Sequence, residues 1–144
     1  MRLSAVARMR ARLRRMWPDE RGQSLVEMAL VLPLLLLLLA GIIDLGRAFN
    51  SYIIITNAAR EGARYGSRYP IHDEGIILAV EAEAAESGVL LDGSNVGIDP
   101  EPPAVALAGD PIVVTVTYQF DTILGGIIGA DSLTLTSSVE MIVL

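Results

Sequence analysis

The chain has no cysteine and no lysine, and one histidine among its 144 residues. Without cysteine there is no disulfide framework, no thiolate metal site and no cysteine nucleophile, so the folded part must be held by its core. The missing lysine carries no functional implication; all eleven cations are arginine. Aromatic residues make up only 5% of the chain and the basic N-terminal stretch holds just one, Trp17, so no nucleic-acid partner is expected. There is no nucleophile elbow, no phosphate loop and no metal-ligand spacing. His72 stands alone at an expected helix start. These absences argue against an enzyme, and no cofactor or metal is expected.

What the sequence does have is an apolar run. The segment 25–43 holds most of the excess hydrophobicity, and Met28–Ile43, MALVLPLLLLLLAGII, carries no charge. As a helix rising roughly 1.5 Å per residue it covers about 24 Å, and about 29 Å with Leu25 and Val26, close to the roughly 30 Å hydrocarbon core of a bilayer. In lipid the backbone must satisfy itself, which requires a helix. Pro33 removes the hydrogen bond toward the Ala29 carbonyl, a loss that membrane helices tolerate.

Charge is divided about this run. Residues 1–21 set seven arginines against Asp19 and Glu20, a net of +5, and the rest sets four arginines against fifteen acids, a net of −11, giving −6 in all. Arginines beside an apolar span stay cytoplasmic, so the N-terminus is expected inside and the acidic body outside. A cleaved secretory signal is the competing reading. Against it, a cut after Ala40 places Leu38 where a small residue is needed, and the following stretch is helical.

Helical signals continue through DLGRAFNSYIIITNAAREGARYGSRYP. Phe49 and Tyr52 suit the outer interface. Asp44 and Arg47, three apart, can face each other, or they simply end the apolar run. Beyond Asn57 the four-residue rows are regular. Ala58, Gly62 and Gly66 form a row of small residues, and Arg60, Arg64 and Arg68 a cationic one. Glycine in a helix costs up to about 1 kcal/mol against alanine, so two of them imply close approach of another element, either this chain's own sheet or a partner helix. Tyr69-Pro70 ends the helix.

A second helix is expected over 72–87, with Ile76, Ile77, Val80 and Ala84 on its apolar side, Asp73 and Glu74 favouring its start, and Gly88 its stop. Asp92-Gly93-Ser94-Asn95 reads as a turn rather than a calcium loop, which it does not match. A short strand is expected over 95–98 and an extended stretch over 99–103. The segment 112–120 alternates at period two, with Ile112, Val114, Val116, Tyr118 and Phe120 on one face. In 133–143, Leu133, Leu135, Val139, Met141 and Val143 share a face. The apolar link TILGGIIGA between these strands is expected either to tuck under the sheet or to dip toward the membrane surface. The fold class is α+β: a long N-terminal transmembrane helix continuing into a small extracytoplasmic domain with a short helix and an antiparallel β-sheet. The expected organisation is a basic cytoplasmic leader over 1–22, a transmembrane helix over 23–44 and the domain over 45–144.

Glu27 interrupts the apolar stretch, where a carboxylate is costly unless it sits among head groups. Arg21-Gly22-Gln23-Ser24-Leu25-Val26-Glu27 followed by an apolar helix resembles a type IV prepilin processing site. RGQSLVEMALVLP, GIIDLGRAF and NAAREGARYG, and more loosely DPIVVTVTYQF, together resemble the TadE-like family of tight-adherence (Flp, type IVc) pilus assembly proteins; Met28 departs from the aromatic often found after the glutamate in Flp-type pilins. The resemblance implies a single-pass, pseudopilin-like protein of the inner membrane, working with a secretion platform and other pilin-like subunits. It implies cleavage between Gly22 and Gln23 by a prepilin peptidase, with Glu27 neutralising the new amine of a neighbouring subunit. Arg60, Glu61, Gly62 and Arg64 are the expected assembly or partner contacts. The alternative is a membrane-tethered extracytoplasmic binding module that does not polymerise.

Overall fold

The computed structural model describes residues 20–100, 107–129 and 131–144. Most of the expected basic leader, residues 1–19, lies outside the described residues, as does the part of the expected extended stretch from residue 101 on. Helix α1 runs over Glu20–Gly66 and continues through Pro33. It is followed by α2 (Asp73–Glu86), a 3-10 turn (Gly93–Asn95), β1 (Val96–Asp99), β2 (Pro111–Asp121), a short α3 (Gly125–Ile128) and β3 (Ser132–Ile142). The chain divides into two compact units, one ending at Leu39 and one from Ala40 to Leu144.

In the first unit α1 is apolar and bare. Every residue from Gly22 to Leu39 is exposed, and Leu30 keeps 74% of its surface. Leucines are good helix formers, but nothing among the described residues of the unit covers them. The helix is long and apolar enough to cross a membrane.

The second unit is a two-layer α+β domain. Its sheet is antiparallel in the order β1-β2-β3, with Val96 opposite Val116, Val114 opposite Val139, and Asp121 opposite Ser132. Both helices pack on one face. Ile55, Ala58, Ala59 and Ala63 of α1 meet Ile76, Val80 and Ala84 of α2 and Ile112, Val114 and Val116 of β2 in one buried cluster. The opposite face is polar, with Thr115 and Ser138 joined by a 2.8 Å hydroxyl pair and Thr134 donating to Gln119. This is the period-two division expected of a half-buried sheet.

Ser137 breaks the apolar row of β3, yet it is buried. Its hydroxyl lies 2.9 Å from that of Thr56 on α1, which meets the rule that buried polar groups find partners.

Close approach explains the two glycines of the small-residue row, Gly62 and Gly66. A Cβ on Gly62 would stand 2.5 Å from Val80 Cγ2 and 3.2 Å from Val114 Cγ1, and one on Gly66 would stand 2.8 Å from Ile112 Cδ1. The small-residue row therefore packs on this chain's own α2 and β2. The helix stops at Gly66, two residues before the expected end at Arg68. Ser67 then donates its hydroxyl to the Arg64 carbonyl, while its own carbonyl accepts the Leu144 amide at 2.9 Å.

Helix α2 ends as expected at Gly88. The Val89 amide reaches Ala84 O and the Gly88 amide reaches Ala85 O, a Schellman arrangement that needs the left-handed glycine. In the 3-10 turn Asp92 accepts from the Ser94 amide while its own amide donates to Asn95 Oδ1. The Ser94 hydroxyl and amide hold the Asp92 carboxyl below the usual aspartate range. Asp92 Oδ1 and Asn95 Oδ1 are thus taken up by hydrogen bonds within the turn.

Candidate functional site

The residues expected from sequence to carry function fall into two groups, one in each unit. Gly22, Gln23 and Glu27 lie on the exposed start of α1. A Cβ on Gly22 would meet nothing within 4 Å among the described residues. Ser24, Glu27, Met28, Val31, Leu32 and Leu35 form one stripe along the helix. Spacings of three and four put these residues on a common face, so the Glu27 carboxylate heads an apolar strip.

The second group lies on the later turns of α1. Arg64 grips Glu61 with a two-pronged contact, its Nε donating to Glu61 Oε2 at 2.8 Å and its Nη2 to Oε1. The guanidinium holds the Glu61 carboxyl below the usual glutamate range and is itself raised by it. Arg60 donates to Asn57 Oδ1 at 3.2 Å. Arg60 and Arg64 on α1 and Arg68 in the turn just after it are all exposed, so they form a cationic ridge. Tyr65 and Tyr69 lie alongside, ring centroids 5.2 Å apart, and His72 stacks on Tyr69. Gly75 makes room for Tyr65, since a Cβ there would come within 2.6 Å of its ring.

Gly62 departs from expectation. It was grouped with the contact residues, but it is buried against Val80 and Val114 of the same chain. Its missing side chain serves the domain core and leaves no surface for a partner.

Sequence reasoning undervalued Asp44. The expected contact with Arg47 is present at 3.0 Å, but Asp44 does more than end the apolar run. Its two carboxylate oxygens accept the backbone amides of Ile123 and Leu124, each at 2.9 Å. Asp44 is 8% exposed, and Arg47 also lies over the Phe120 ring at 4.9 Å. The link after β2 is therefore fastened to α1. Beside this bracket is a cleft of about 300 Å³ lined by Gly41, Leu45, Ala48, Phe120, Leu124 and Leu133 among others. A signal was available in the sequence: one acid directly after a long apolar run, and a charge-free link whose amides needed acceptors.

Among the described residues no three of His, Asp and Glu stand together as a metal site would require. Residues 22–64 match the family model described as TadE-like protein, the family whose resemblance the sequence carries. Neither the curated proteins nor the solved structures hold a match to the chain.

Proposed function

Taking residues 22–64 as a TadE-like segment, we propose that this protein is a membrane-anchored minor pilin or assembly factor of a tight-adherence pilus or a related secretion system. It acts by anchoring and subunit packing, not by catalysis. The observation that carries the reading is where the family match falls. It begins at Gly22 and ends at Arg64, so it takes in both the bare apolar half of α1 and the turns that build the domain core.

In this reading the arginine-rich start stays in the cytoplasm, as positive charge beside a span favours, and the sheet domain lies outside. A prepilin peptidase cuts between Gly22 and Gln23. Glu27 then pairs with the freed amine of a neighbouring subunit; two charges that are each costly in lipid become less so together. The ridge of Arg60, Glu61 and Arg64 faces other subunits or platform proteins.

Deleting the gene in the source cell and restoring it on a plasmid tests the reading. Loss of surface fibres with recovery on complementation is the expected result; fibres unchanged in number and length would sink it. Mass spectrometry of the N-terminus addresses processing separately. A chain beginning at Gln23 supports pilin-type maturation, whereas an intact leader favours a plain tether such as the non-polymerising binding module.

A further inference from the structure

The link between β2 and β3 has an odd composition for a surface connection. From Thr122 to Ala130 it contains no charged residue, with Asp121 and Asp131 at its two ends. Loops facing water are normally polar, yet Ile123 is 56% and Ile127 68% exposed. The Asp44 carboxylate clamps this link through the Ile123 and Leu124 amides. Asp44 directly follows Ile43, the last residue of the charge-free run. Leu124 Cδ1 also reaches to 3.4 Å from where a Gly41 side chain would begin. All of these residues belong to the unit Ala40–Leu144, so the link is fixed at the level where the apolar run ends. On α1 at the same level Leu45 is 72% and Phe49 64% exposed. Phe49 lies about 9 Å along the helix from Ile43 at roughly 1.5 Å per residue, comparable to the head-group layer of roughly 5–7 Å on each side of a bilayer.

We propose that Ile123 and Ile127 of this link, with Leu45 and Phe49 of α1, form an interfacial foot that rests in the lipid surface around the anchor. The occupant is lipid because the link is tied to the turn that continues the apolar run. If residues up to Ile43 lie in lipid, the clamp keeps Ile123 and Ile127 at the boundary. Asp44 accepts the Ile123 and Leu124 amides, so those two donors need no water. The foot gives the domain a second attachment to the membrane, which limits how freely it swings about α1. This inference rests on the anchor reading.

The test uses the full chain in phosphatidylcholine vesicles that carry a doxyl-labelled lipid, its quencher near the head group for the link and sheet variants and deep in the acyl chain for the anchor variant. The chain has no cysteine, so single-cysteine variants need no background removal. Ile127→Cys and Ile123→Cys are labelled with an environment-sensitive dye and compared with Ser138→Cys on the polar sheet face and Leu36→Cys in the anchor. Doxyl lipid is expected to quench Ile127→Cys and Ile123→Cys about twofold or more relative to Ser138→Cys, as for side chains at the acyl boundary. If Leu36→Cys is quenched while Ile127→Cys behaves like Ser138→Cys, the foot is wrong and the anchor stands. If Ile127→Cys is shielded from aqueous iodide without being quenched by doxyl lipid, protein covers the link and the lipid assignment fails. If Leu36→Cys is not quenched, the anchor fails and the foot with it.

Discussion

One helix solves two opposite problems along its length. From Gly22 to Leu39, α1 carries mostly large apolar side chains, and every residue is exposed. From Ile55 to Gly66 its buried face is mostly small after Ile55, and Ala58, Ala59 and Ala63 are fully buried. The bulky half is exposed throughout, and the small face of the later half is crowded by α2 and β2. Hydrophobicity alone therefore does not mark the core. What marks it is the loss of side-chain volume at four-residue spacing, which lets another backbone come near. Large residues in the first half suit a fluid apolar solvent, where a helix needs no shaped partner.

That contrast can be broken at either end. Ile112→Ala should have the largest effect. Ile112 is fully buried, and removing such a side chain costs about 2–5 kcal/mol, much of the roughly 5–15 kcal/mol that holds a typical domain. Chemical denaturation of the detergent-solubilised full chain should show an earlier midpoint, while membrane retention is unchanged. Leu36→Arg should do the reverse. An arginine in mid-helix costs about 2.5–3.5 kcal/mol in insertion, which is roughly a hundredfold in partition. Alkaline extraction of membranes should release the variant, and the denaturation midpoint of its domain should stay put. If either substitution moves both readouts equally, the two halves of α1 do not have separate jobs.

Much of this was legible before any coordinates. The apolar run, the α2 stop at Gly88 and the alternation in β2 and β3 are local patterns, and local patterns survive folding. So are the small-residue rows, although the sequence leaves open whether they pack on the chain's own sheet or on a partner; Gly62 and Gly66 lie against this chain's α2 and β2. Two features were hidden because they join distant residues. Ser137 looks like a defect in β3 until Thr56, on another element, supplies its partner. Asp44 looks like a helix-side charge until the amides of Ile123 and Leu124, 79 and 80 residues away, arrive at it. Periodicity reports which face is inside; it does not report which polar group another element will satisfy.

The glycine pair sharpens the comparison within the crowded half. Gly62→Ala gains up to about 1 kcal/mol of helix propensity. Its new Cβ, however, meets Val80 Cγ2 at 2.5 Å, and a β-branched side chain in a helix has essentially one rotamer and cannot swing aside. Overpacking of this kind costs about 1–3 kcal/mol, so the clash wins and the domain is destabilised. At Gly66 the nearest atoms are the Cδ1 ends of Ile112 and Ile76, which can rotate away. Gly66→Ala should therefore cost much less than Gly62→Ala and approach neutrality. Equal losses from the two in denaturation would contradict this account of why the glycines are there.

Asp44→Asn acts at the junction rather than in the core. An amide side chain keeps one acceptor oxygen but turns an NH₂ toward a backbone N–H that needs an acceptor, and it loses the charge that holds Arg47. The domain should stay folded while the link loosens. Amide hydrogen exchange should accelerate at Ile123 and Leu124 and remain slow in β2 at Val114. Protection retained at both link amides would mean the carboxylate is not what fastens them.

The smallest effect belongs to the exposed ridge, and it is visible only with pH. Arg64 holds the Glu61 carboxyl below its usual range, so the folded state favours the charged form. The stabilisation is fully present above the ordinary glutamate pKa of about 4.3 and is lost as pH falls through the lower folded-state value. Glu61→Gln should therefore lower stability slightly at neutral pH and not at all in strong acid, so the difference between wild type and variant shrinks as pH drops. Because Arg64 keeps 56% of its side-chain exposure, water and salt screen the pair, and 1 M salt should shrink the neutral-pH difference as well. A gap that persists in acid would assign Glu61 a packing role instead of an electrostatic one. The ridge would then belong with the crowded face of α1 and not with a surface left open to other subunits.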